Sequence, residues 1–121
     1  MKDNNIIQTK SYQFAKRIVK LYLFLSKEKH EFNLSKQVLR SGTSIGANVE
    51  EAIGAHSKKD FLSKITIAYK EARETNYWLR LLKDCEILDE KSATSLLIDS
   101  DELIKVLGSI IRTMKKQIPN S

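Results

Sequence analysis

Two histidines, one cysteine and fifteen aspartates and glutamates are the side chains with which this chain could hold a metal or move a proton. In helical bundles, Glu-x-x-His pairs build di-iron sites, because residues three apart share a helix face. His30 and His56 have Lys27 and Ile53 three positions before them, so that spacing is absent. Neither Cys-x-x-Cys nor His-x-x-x-His occurs, which leaves no ligand pattern for zinc. The segment Gly42 to Gly46 is too short for a phosphate-cradling Walker loop and lacks the Lys-Ser/Thr that follows one. Cys85 has no evident histidine to activate it as a nucleophile and falls at a helix end on an apolar line. His56 extends an apolar stripe and reads as a hydrogen-bonded helix-end residue. The expectation is a protein that is not an enzyme, with no catalytic residue, no metal and no cofactor.

Two polar constellations remain. Asn48 falls on an inward helical face between Ile45 and Ala52, one step from Glu51, and Glu71 and Glu74 flank another apolar seam with Arg73 between them. Buried polar groups must be paired, so these read as a network that fixes helix register; a ligand pocket near Asn48 and Glu51 is the alternative. The basic residues are the second constellation. Lys16, Lys20 and Lys27 recur on one face of a first helix, with Lys10 and Arg17 beside them, and Arg112, Lys115 and Lys116 cluster near the end of the chain. Repeated in a ring of identical subunits, they would form a broad positive surface whose phosphate contacts add up. The plain alternative is a solvated surface. With no zinc finger, RNA-recognition motif or DNA-reading helix-turn-helix, nucleic-acid binding would be to backbone and shape rather than to base edges.

The elements that must position these residues are helices. The chain has 121 residues, a size that suits one domain (1–121) with one core. A single Pro and four Gly are too little turn chemistry for an all-β fold. No run of about 18 apolar residues exists, no signal peptide is visible, and one cysteine makes no internal disulfide; a cytoplasmic, non-membrane setting is expected. The formal charge of +6 is uneven. Met1 to His30 carries seven Lys/Arg against two acids and Ser57 to Asp84 seven against four, while the other two segments are each slightly acidic.

Phe14, Ile18, Leu21, Tyr22 and Leu25 predict a helix from Lys10 to Lys27, with Val19, Leu23 and Phe24 widening its apolar stripe. A second helix, capped by Asn33 and running to about Ala55, has the stripe Leu34, Val38, Ser41, Ile45, Asn48/Val49, Ala52 and His56. Gly42 and Gly46 lie inside it. Each costs roughly 0.5–1 kcal/mol relative to Ala, which a closely approaching neighbour helix would offset. Ser57 caps a third helix with Phe61, Ile65, Ala68, Ala72, Thr75, Leu79 and Leu82 at steps of four and three. Ile67, Trp78, Leu81 and Cys85 form a second line on it. A fourth helix runs from Asp89 to about Gln117, with Ala93, Leu96/Leu97, Leu103/Ile104, Leu107, Ile110/Ile111 and Met114 inward. Short connections make successive helices antiparallel, so the fold class is all-α: a left-handed, up-and-down antiparallel four-helix bundle. Leu23, Phe24, Ile67, Trp78 and Leu81 are the candidate contacts between subunits.

The runs Arg40-Ser41-Gly42-Thr43-Ser44-Ile45-Gly46-Ala47-Asn48-Val49-Glu50-Glu51-Ala52, Ser57-Lys58-Lys59-Asp60-Phe61 and Ile67-Ala68-Tyr69-Lys70-Glu71-Ala72-Arg73-Glu74-Thr75-Asn76-Tyr77-Trp78-Leu79 resemble a bacterial four-helix-bundle family. Its founding members are encoded by intervening sequences in 23S rRNA genes, and the resemblance covers nearly the whole chain. It implies homopentameric rings. It extends in fold to an accessory protein of diversity-generating retroelements, a basic pentameric barrel that binds nucleic acid and a reverse transcriptase. Arg40, Ser44, Asn48 and Glu51 match the family pattern on the second helix, and Glu71 and Glu74 match it on the third. The resulting expectation is a homo-oligomeric module that binds structured RNA or another nucleic acid, with a protein–protein adaptor as the alternative.

Overall fold

The computed structural model describes the backbone of residues 2–119 and the side chains of residues 6–119. Four helices follow one another: α1 Lys2–Lys27, α2 Leu34–Ile53, α3 Lys58–Asp84 and α4 Glu90–Gln117. Cross-helix pairs run in opposite senses, Gln8 with Glu50 but Ile18 beside Gly42, as antiparallel neighbours require. Each helix packs on the next, and α1 closes on α4 more sparsely than any other neighbouring pair. That difference shapes the surface described below.

The core stripes follow the helical period. Phe14, Ile18 and Leu25 of α1 meet Val38, Ile45 and Val49 of α2, Ile65, Leu79 and Leu82 of α3, and Leu103 and Leu107 of α4, all at most 2% exposed. Leu97, Ile104 and Ile111 are half-buried and pack against this core. One polar link crosses it: the Thr75 hydroxyl donates to Ser41 Oγ at 2.9 Å, which donates to the Gln37 carbonyl at 3.0 Å. Gly42 admits the closely approaching neighbour helix that was expected to offset its cost. A Cβ on Gly42 would stand 2.8 Å from both γ-carbons of Ile18, so α1 reaches its packing distance only because that position is bare.

Several boundaries and placements differ from expectation. Helix α1 begins at Lys2 rather than Lys10, since Ile7 and Ser11, both 1% exposed, continue the stripe of Phe14 backwards. Asn33 makes no capping bond. Instead the Glu31 carboxylate accepts from the backbone N–H groups of Asn33, Leu34 and Ser35 at 3.2, 3.0 and 2.7 Å. Partial burial pushes the Glu31 carboxyl up, but these donors together outweigh it and leave the group below its ordinary value. Tyr22 is half-buried rather than a full core residue. His56 leaves the apolar stripe altogether: α2 stops at Ile53, the chain turns at Gly54, and the imidazole lies 87% exposed with Nδ1 3.2 Å from Asp60. Ser57 caps α3 as expected, and Asp89, expected as the start of the fourth helix, caps α4, each accepting from the N–H three residues on. His30 (φ 53°) and Glu86 (φ 59°) take left-handed turns after α1 and α3, where a non-glycine residue costs roughly 1–2 kcal/mol.

Candidate nucleic-acid interface

Helix α4 sorts its charges by face. Asp99 and Glu102 point toward α1, and there they meet two of the five cations expected on α1 to bind nucleic acid. Lys10 pairs with Glu102. The Arg17 guanidinium pairs with Asp99 at 2.5 Å and donates to the Ser95 hydroxyl at 2.9 Å. These two cations are engaged in holding α1 to α4. Lys16, Lys20 and Lys27 stay exposed, and among the described residues none of them reaches an acid. Lys16 lies over the Tyr12 ring, 5.4 Å from its centre. Around them the outer face of α1 is substantially apolar, with Tyr12, Val19, Leu23 and Phe24 all at least 40% exposed.

The other side of α4 carries cations. Lys105, Arg112 and Lys115 are exposed there, facing the α3 shoulder that bears Arg73 and Arg80. Register is fixed by the Asn76 amide, which donates to Ser100 at 2.8 Å and to Asp101 at 2.9 Å, and by Tyr69 beside Gly108. The Arg73 guanidinium lies over the Tyr69 ring at 5.8 Å and donates to its hydroxyl at 3.4 Å. Arg112 reaches the same place from α4: a Cβ on Gly108 would lie 3.5 Å from its Nη1 and 3.6 Å from Tyr69 Cε1. Arg80 sits over Tyr77 at 5.8 Å, with its Nε donating to Asn76 at 3.0 Å. Among the described residues, none of these five cations is in an ion pair.

Sequence reasoning nominated Arg112 and Lys115 but missed Arg73, Arg80 and Lys105. The seven-residue spacings Arg73 to Arg80 and Lys105 to Arg112 were the available signal, since a seven-residue step returns to nearly the same helix face. Lys116, also nominated, is exposed on α4. Lys58, at the start of α3, lines a cleft with His56, Phe61, Met114 and Gln117.

The family-pattern residues come together along the α2–α3 seam. Arg40 pairs with Glu71 at 3.3 Å and with Glu74, whose carboxylate also accepts from the Trp78 indole N–H at 2.9 Å. The Ser44 hydroxyl donates to the Arg40 carbonyl and the Asn48 amide to the Ser44 carbonyl, while Glu51 turns outward to Lys64 at 3.2 Å. Asn48 and Glu51 therefore do not converge on one space, and Asn48 is a half-buried flank residue rather than an inward one. This is a register-fixing seam at the surface, where each exposed pair contributes roughly 0–1 kcal/mol. Of the candidate subunit contacts, Leu23, Phe24 and Ile67 are exposed, whereas Leu81 is half-buried and Trp78 is packed against the monomer's own core. Among the described residues no three His, Cys, Asp or Glu side chains gather as a metal site, and Cys85 is exposed. Among the described residues, no helix is long and apolar enough to cross a membrane.

A sequence model described as 23S rRNA-intervening sequence protein matches residues 3–109. The chain belongs to that family. A solved structure from Bacteroides thetaiotaomicron, described as a protein of unknown function from the S23 ribosomal protein family, is 52% identical. The match covers 91% of this chain and 98% of that one, with a TM-score of 0.89. No curated protein matches the chain.

Proposed function

We propose that this chain is a non-enzymatic, cytoplasmic, homo-oligomeric module that binds structured RNA or another nucleic acid through its basic faces. The observation that carries this reading is the asymmetry of pairing. Asp99 and Glu102 of α4 are taken up against α1, while exposed Arg73, Arg80, Lys105, Arg112 and Lys115 have no ion-pair partner among the described residues. Unneutralised cations in register are what a polyphosphate backbone selects, and counter-ion release supplies the affinity. The pentameric ring implied by the family resemblance would multiply each face around an axis. The purified protein should bind a structured RNA and a duplex DNA at low salt and lose that binding steeply as salt is raised. Absence of binding at low salt would sink the reading.

A second reading, a protein–protein adaptor, is favoured by one feature: the apolar residues Tyr12, Val19 and Leu23 on the outer face of α1. The same face serves self-association under the first reading. Leu23→Glu combined with Phe24→Glu should lower the mass measured by light scattering. An unchanged oligomer would remove α1 from the subunit contact.

A further inference from the structure

The basic faces are not equivalent, and the structure carries the difference further. We infer that the shoulder between α3 and α4, and not the outer face of α1, is the principal phosphate-binding stripe of this protein. Arg73, Arg80, Lys105, Arg112 and Lys115 are its cations, and its ligand is the backbone of a duplexed nucleic acid. The inference rests on the nucleic-acid reading above and assigns that reading a place on the molecule.

Three properties of the stripe point to phosphate. The first is charge: five exposed cations face water, and the carboxylate of Asp101 on the same seam is held by the Asn76 amide rather than by any of them. The outer face of α1 offers three such lysines, interleaved with Tyr12, Val19, Leu23 and Phe24, a mixture suited to a protein surface.

The second is chemistry. Three of the five are arginines, whose planar guanidinium groups give two parallel N–H donors to a phosphate where a lysine gives a point charge. The third is preorganisation. Arg73 is held over Tyr69 and bonded to its hydroxyl, Arg112 enters the space that Gly108 leaves open beside the same ring, and Arg80 is tied through Nε to Asn76. Holding Arg80 at Nε leaves its terminal N–H groups available to a phosphate, and much of the side-chain entropy that binding would cost is already spent.

The dimensions agree with a backbone track. At 1.5 Å of rise per residue, Arg73 to Arg80 and Lys105 to Arg112 each span about 10 Å, and the whole stripe runs to about 25 Å. One strand of a duplex presents a phosphate about every 3.4 Å along its axis, so a stripe of this length meets several in succession. Tyr69 is half-buried with Arg73 over its ring, and the more exposed Tyr77 has Arg80 over its own, so each ring of the stripe already carries an arginine where an unpaired base would stack. Readout of backbone and shape follows, without base specificity.

The test is a salt titration with a labelled RNA hairpin and, in parallel, a duplex DNA, using the full chain. Five phosphate contacts predict a slope of log affinity against log salt near −4.5, which is a loss of roughly 500-fold between about 50 and 200 mM. Arg73→Gln, Arg80→Gln and Arg112→Gln together should flatten the slope by about 2.7 and weaken binding more than tenfold at the lower salt. Lys16→Gln with Lys20→Gln should leave it within about threefold of the parent, by the same counting of phosphates. Should the triple variant lose its helical circular dichroism, Lys105→Glu with Lys115→Glu asks the same question with surface lysines alone. Parent binding with an undiminished slope in the α3–α4 variants, or loss only in the α1 variant, overturns this assignment. Absence of parent binding to either probe overturns the nucleic-acid reading itself, and with it the stripe. A preference for the hairpin over the duplex DNA would identify A-form RNA as the source of the phosphates; the reverse would identify DNA.

Discussion

The two sides of α4 are built from similar residues and end in opposite states. Toward α1, Asp99 and Glu102 meet Arg17 and Lys10, so charge is cancelled at the seam. Packing there is sparse, and surface clefts border Phe14, Leu21, Leu96 and Leu103. Toward α3, packing is more extensive, yet arginines and lysines face one another with one acid, Asp101, which is bonded to Asn76 and pairs with none of them. Ion pairs thus supplement the seam with less apolar contact, and the better-packed seam tolerates repulsion. A surface can hold uncancelled charge in register only where something else pays for the fold.

The largest effect that could break this comparison is in the core beneath the sparse seam. Phe14 borders a cleft but is only 2% exposed. Phe14→Ala should therefore cost about 3–5 kcal/mol in urea denaturation, the full value for a buried ring. Tyr69→Ala, on the half-buried shoulder of the other seam, should cost clearly less. A Phe14 variant within about 1 kcal/mol of the parent would mean that α1 contributes little burial, since core ring deletions otherwise cost several times that.

The bundle itself was legible because its apolar residues keep to steps of three and four, most clearly from Phe61 to Leu82, and because Ser57 is a capping residue at a helix start. Ile7 was missed because polar residues dilute the pattern at the start of α1. His56 was misplaced because periodicity was carried past Gly54, where the helix has already ended. Glu31 could not be read as the cap of α2 from spacing, since its role depends on how the turn after His30 aims its carboxylate. The candidate interface was half legible for a similar reason. Summed from Cys85 to Ser121 the chain is slightly acidic, and that sum hides Asp99 and Glu102 on one face of α4 and Lys105, Arg112 and Lys115 on the other. Arg73 read as a residue between two glutamates, whereas the structure turns Glu71 and Glu74 to Arg40 and leaves Arg73 on α4's side.

A smaller effect would sharpen the comparison by copying the neutralised state onto the cationic seam. Gly108 is half-buried beside Arg112, and a Cβ there makes only ordinary contacts. Gly108→Glu places a carboxylate one helical turn from Arg112. Relief of the glycine penalty and the new pair should stabilise the protein by roughly 0.5–1.5 kcal/mol. The same change should flatten the salt dependence of nucleic-acid binding by about one phosphate contact. A variant that is more stable and binds less well would separate folding from binding at this seam. Greater stability with unchanged binding would show that Arg112 stands outside the phosphate track.

The smallest effect concerns sign. Lys10→Gln and Lys105→Gln are the same substitution on two exposed helical surfaces, so intrinsic propensity cancels between them. Lys10 loses its partner Glu102, and an exposed pair of this kind is worth about 0.2–1 kcal/mol, so the variant should be less stable by that amount. Lys105 has no ion-pair partner among the described residues, shares its seam with Arg73 and Arg112, and has Asp101 one turn before it already bonded to Asn76, so its removal should stabilise the protein by at most a few tenths of a kcal/mol at low salt. Screening reaches about 3 Å at 1 M salt, so urea denaturation there should find the two variants indistinguishable from each other. If both lysines destabilised on removal at low salt, the α3–α4 seam would hold an attraction that its cations alone do not provide, and the contrast between the two sides of α4 would fail.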